Sequence, residues 1–162
     1  MAVGTVSAST IDEPWQLIAT NTTTSGTTTT FNSFSGYKAL MITFKGVTTG
    51  STGKYYMRFN GDSGSNYNSL MSGYGANPVG FSFTQIYISG YDTTGVENGY
   101  VIIKNVDSTT LPKIVVEGTS YVMNKNGGIW LNDSSAITSI VITHDSGAAF
   151  TAGTFKLYGI AA

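Results

Sequence analysis

The sequence predicts an all-β domain of antiparallel strands, a sandwich or a barrel, and three observations predict it. Apolar and polar residues alternate over many short stretches, as in Phe81-Ser82-Phe83-Thr84-Gln85-Ile86-Tyr87-Ile88, and period two is the strand repeat. Nowhere do apolar residues recur at i, i+3, i+4, i+7 over a useful length. Clusters of Gly, Asn, Asp and Ser separate the stretches at the spacing of about nine or ten short strands. Without helices between them, such strands must pair antiparallel.

Composition sets the limits. A chain of 162 residues is one domain that buries about two-thirds of its unfolded surface. Only 10% of residues are charged, against about a quarter in ordinary domains. The polar surface is therefore built from Thr, Ser, Asn and Gly, which suits a protein in a permanent assembly or in harsh extracellular conditions. A net charge of −1 offers no electrostatic footprint for nucleic acid. With no cysteine, disulfides and thiolate chemistry are excluded. No apolar run reaches the ~18 residues of a membrane helix.

In chain order, residues 1–20 read as an N-terminal arm and first strand, and residues 21–162 as a single β-sandwich domain. The arm lacks the basic and apolar regions of a signal peptide. Its apolar residues Val3, Val6, Ile11 and Trp15 are interface candidates, the arm lying on a neighbouring subunit or along its own domain. Pro14 to Ala19 is the first strand. The threonine-rich run from Asn21 to Thr30 reads as an edge hairpin or a loop ridge. Tyr37 to Val47 is the clearest strand: Leu40, Ile42 and Phe44 share one face, while Ala39, Met41 and Thr43 make a half-apolar second face that suggests burial there too. Lys54 to Phe59 follows. Asn60-Gly61, the strongest short turn dipeptide, opens a loop that Asp62 to Asn66 prolongs through side-chain-to-backbone hydrogen bonds. Residues 70–80 are Gly-rich and irregular. Further strands are expected at 81–88, 99–104, 112–123, 129–131, 136–143 and 154–160. The 112–123 stretch sets Ile114 and Val116 against Val115 and Glu117. The 136–143 stretch sets Ile137, Ser139 and Val141 against Thr138, Ile140 and Ile142.

Chemistry has few places to reside. Gly61-Asp62-Ser63-Gly64 spells the sequence around a trypsin-like nucleophile, but a serine needs a histidine base, and the one histidine, His144, follows the serine in sequence. His144 itself reads as an exposed turn residue rather than a base oriented by Asp145. Asn60, Asp62, Ser65 and Asn66 offer oxygens for Ca²⁺, yet one carboxylate is thin for such a site, and no metal or cofactor is expected. Ten tyrosines and two tryptophans allow sugar stacking, with Asn60, Asp62, Tyr67, Tyr74 and Tyr91 as candidate loop contacts. A carbohydrate-active enzyme using Glu117 or Asp62 is the more distant option. The chain is expected not to be an enzyme.

As an ordered set, several motifs resemble a widespread group of tailed-bacteriophage virion proteins. They are F-S-G-Y-K-A-L-M-I-T-F at 34–44, R-F-N-G-D-S-G-S-N-Y at 58–67, I-Y-I-S-G-Y at 86–91, G-G-I-W-L-N-D-S-S-A-I-T-S-I at 127–140 and T-A-G-T-F-K-L-Y-G-I at 151–160. The resemblance covers residues 30–160 and implies a jelly-roll-like sandwich acting as a structural or adhesive module, with no catalytic residues to carry over. Its expected place is the virion. Without a fibrous shaft before the domain, a capsid decoration or cement protein is favoured, bound to the major capsid protein and to copies of itself as a homotrimer. The alternative is a tail-fibre or tail-tip module that recognises host surface glycan.

Overall fold

The computed structural model describes residues 14–71, 79–89, 95–117, 126–132 and 134–162. They form twelve strands and no helix: β1 (Gln16–Thr22), β2 (Thr28–Phe31), β3 (Tyr37–Thr49), β4 (Tyr55–Phe59), β5 (Tyr67–Met71), β6 (Val79–Phe83), β7 (Ile86–Tyr87), β8 (Glu97–Lys104), β9 (Lys113–Glu117), β10 (Asn126–Trp130), β11 (Ile140–His144) and β12 (Phe150–Ala161). One sheet has eight strands in the order β1-β12-β3-β8-β9-β10-β5-β6, and the other has four in the order β2-β11-β4-β7. Neighbouring strands pair antiparallel throughout.

Without β5, β6, β9 and β10, the remaining strands form two four-stranded sheets, β1-β12-β3-β8 and β2-β11-β4-β7. The chain then passes between the sheets at almost every connection, which is the double Greek-key winding of a jelly roll. The four other strands widen one sheet on a single side.

The core lies between the sheets. Leu40, Ile42, Val101, Ile103, Phe155 and Leu157 from the larger sheet meet Met57, Phe59, Ile140 and Ile142 from the smaller, all essentially excluded from solvent. Strict alternation along β4 and β11 places one apolar set inward, as period two requires.

Several sequence expectations are corrected. The described residues hold twelve strands rather than nine or ten. The single strand expected at 81–88 is two, β6 in one sheet and β7 in the other. Arg58 holds the corner between them: its guanidinium donates to the Thr84 carbonyl and the Gln85 side chain, each at 2.9 Å. The irregular stretch at 70–80 begins as part of β5. The division at residue 20 falls inside β1, which pairs with β12 from Gln16 to Thr22 and so belongs to the sandwich. The 21–30 run is not a hairpin within one sheet, because β1 and β2 lie in different sheets. Asn21 ties them together by donating to Thr29 Oγ1 and the Thr30 carbonyl at 2.9 Å. Finally, Ile137 is buried together with Ile140 and Ile142. The segment before β11 is irregular, so it does not follow the expected alternation.

Candidate functional site

The loop after β4 is built as a staple. Asn60 and Gly61 both have positive φ, 51° and 71°, as a tight turn of this kind requires, and the Asp62 amide closes on the Phe59 carbonyl at 2.8 Å. The Asn60 side chain donates to the Ala136 carbonyl at 2.7 Å and accepts from the Thr138 and Ser139 amides at 2.8 and 3.1 Å. This clamp fixes the irregular segment that carries Ile137 inward.

Asp62 is the loop's hub. Its carboxylate accepts from the Gly64 amide, the Asn66 side chain and the Trp130 indole, at 2.8, 2.9 and 2.8 Å. Burial alone raises its pKa. The hydrogen bonds from Trp130, Asn66 and Gly64, with the nearby Arg58 charge, outweigh that and hold it below the usual carboxylate value. Tyr67 lies beneath, wholly buried. Its hydroxyl accepts from the Phe59 amide at 3.0 Å and donates to the Asp62 carbonyl at 3.1 Å, and burial pushes its pKa up to about 12. Phe59, Tyr67 and Trp130 pack ring on ring at 5.4–6.3 Å.

Three of the candidate loop residues, Asn60, Asp62 and Tyr67, are thus brought together, but as a structural unit. Tyr67 is corrected from a ligand contact to a core residue, since no part of it reaches solvent. A cation at this loop would compete with the N–H donors that the Asn60 and Asp62 oxygens already serve. Ser63 lies beyond one end of the β4–β11 pair, where Phe59 faces Ile140, and His144 is at the other end, facing Tyr55. Five residues of strand separate them by about 13 Å, so no Ser–His pair forms. His144 is buried, not exposed. It sits edge-on to Tyr55, and its Nδ1 shares a 2.7 Å hydrogen bond with Ser146. No group of three His, Cys, Asp or Glu poised for a metal occurs among the described residues. Trp15 is half-buried just before β1. Val3, Val6, Ile11, Tyr74 and Tyr91 lie outside the described residues, as does the side chain of Glu117.

The outer face of the eight-stranded sheet is the surface that the sequence left unassigned. Directly paired residues share a face, so the register traces a row across it: Leu17 faces Tyr158, Tyr158 faces Met41, Met41 faces Ile102, Ile102 faces Val116, Val116 faces Gly127 and Gly127 faces Leu70. The row spans seven strands, about 30 Å at the usual strand spacing. Leu17 is 56% exposed and Val116 50%. At Gly127 the row dips to bare backbone, and a groove of about 440 Å³ opens there between Val116, Ile129, Leu70 and Phe81. Phe81, at 73%, is the most exposed large apolar side chain among the described residues.

Among the described residues, none buries the half-apolar second face of β3: Met41 looks outward and is half-buried. The signal was present in the sequence, as strands apolar on both faces at 39–44 and 114–116, but nothing local separates a face covered by the same chain from one left open. Compared with known protein families, curated proteins and solved structures, the chain matches none.

Proposed function

We propose that this chain is a non-enzymatic structural protein of a tailed-phage virion, a capsid decoration subunit that docks on the assembled shell through the outer face of its larger sheet. The observation that carries the proposal is the apolar row from Leu17 to Leu70. A contiguous apolar surface of this breadth marks an interaction site in a soluble domain. The motif resemblance and the jelly-roll winding support a virion module, and the sparse charge suits close packing between subunits. Binding that prefers the assembled shell stabilises it by mass action. A homotrimer matches the local three-fold positions of capsid lattices. The glycan-binding alternative loses one of its stacking candidates, because Tyr67 is buried.

Immunogold electron microscopy of virions with an antibody to this chain tests the proposal. Label scattered over heads is expected. Label confined to the tail end overturns decoration and favours the adhesive module.

A further inference from the structure

We propose that a cleft between Lys45 and Lys156, on the same outer face, receives a carboxylate side chain of the protein on which the face docks. The inference rests on the docking reading above and names the chemistry of the partner.

The cleft holds about 390 Å³ and is lined by Thr43, Lys45, Thr154, Lys156 and Tyr158. Register builds it: Lys45 faces Thr154 and Lys156 faces Thr43, so the two lysines are diagonal neighbours flanking two short hydroxyl side chains. Both lysines are exposed. Like charges at such spacing repel, and a shared counter-charge relieves the repulsion. The described strands supply none on this face. The outward strand positions among the described residues carry Lys45, Lys104 and Lys156 and no Asp or Glu. Two lysines with the Thr43, Thr154 and Tyr158 hydroxyls form a donor set for a carboxylate.

Charge also selects the occupant. Two copies meeting through this face would set lysines against lysines, which disfavours a self-dimer and favours an acidic partner. The relief of the face points to a protein. Tyr158 belongs both to the cleft and to the apolar row. The groove beside Gly127 lies three strand spacings from β3 across the sheet and further down the strands, so it is at least about 14 Å from the cleft. A partner offering a carboxylate and an apolar side chain at that separation engages both.

The test measures binding to phage particles lacking this protein. It compares the intact chain, Lys45→Glu/Lys156→Glu, Lys45→Gln/Lys156→Gln and Val116→Asp over a range of salt concentrations. The lysines are exposed, so folding, followed by circular dichroism, should be unchanged. Charge reversal is expected to weaken binding by at least about 30-fold, and the glutamine variant should lose most of the salt dependence. Charge-reversed protein that binds like the intact chain, while Val116→Asp does not, overturns the cleft assignment and leaves docking standing. If the intact chain binds no particle, the docking reading fails on its own, and a titration with a tri-glutamate peptide followed by NMR decides the cleft: shifts centred on Lys45 and Lys156 support it, and their absence overturns it. Lysine-dependent binding to anionic phospholipid vesicles, without binding to particles, overturns the protein partner in favour of a lipid surface.

Discussion

The Asp62 carboxylate accepts a 2.8 Å hydrogen bond from the indole of Trp130, 68 residues further along the chain. Trp130 is completely buried, so this bond satisfies a donor that has no access to water. It also pins the loop after β4 to β10, a strand of the other sheet. The loop is therefore a joint between sheets.

Asp62→Ala should destabilise the domain by about 2 kcal/mol, because it orphans the buried indole N–H and removes the loop's acceptor. Asp62→Asn, which keeps one acceptor oxygen, should cost less. Chemical denaturation of the three proteins at neutral pH measures the order. Because the folded carboxyl titrates below its ordinary value of 3.8, its contribution is present above that pH and is lost as the pH falls through the folded value. Asp62→Asn should flatten that part of the acid limb.

Tyr67→Phe removes a single oxygen yet should cost roughly 1–3 kcal/mol, since the amide of buried Phe59 then has no acceptor. Urea unfolding should show a lower midpoint with an unchanged slope. A cost near zero would mean that water reaches the Phe59 amide.

Gly153→Ala should be more damaging than an average glycine change. Its φ is 113°, in the region that side chains avoid, and a Cβ there would lie 2.4 Å from the Val47 Cα. The neighbour is backbone of β3, which cannot yield without disturbing the β3–β12 ladder. A loss of about 2 kcal/mol or more is expected from the backbone strain alone, read as a drop in Tm.

His144 should contribute its own acid sensitivity. Burial lowers its pKa from the ordinary 6.5, more strongly than the Asp145 charge and the Gly53 backbone raise it. The folded state thus binds this proton less readily than the unfolded chain. Stability is full above about pH 6.5 and declines below it, by at most about 1.4 kcal/mol per pH unit, until the folded value is passed. His144→Gln should remove that decline while lowering stability at neutral pH, as seen in Tm measured from pH 7.5 to 5.

Much of the architecture was legible residue by residue. Alternation marked the strand at Tyr37–Val47 because the pleat sends successive side chains to opposite faces, and aromatic and long side chains marked the one at Lys54–Phe59. Asn60-Gly61 marked the turn because both residues tolerate positive φ. What stayed hidden depends on who faces whom. Nothing near Tyr67 announces that its hydroxyl bridges Phe59 and Asp62, and nothing near His144 announces that β4 and the Gly53 backbone enclose it. Both are contacts between segments distant in sequence or folded back on themselves.

By itself, then, the sequence determined an antiparallel all-β domain, its principal turns, its lack of thiol chemistry and its sparse surface charge, all of which follow from local periodicity and composition. Only the tertiary structure decided that β1, β12, β3 and β8 form one sheet with β9, β10, β5 and β6. That order placed Leu17, Met41, Ile102, Val116 and Leu70 in one outward-facing row and set Lys45 beside Lys156. The physical reason is that strand order is a choice among long-range pairings of similar local stability, settled by how the whole core packs.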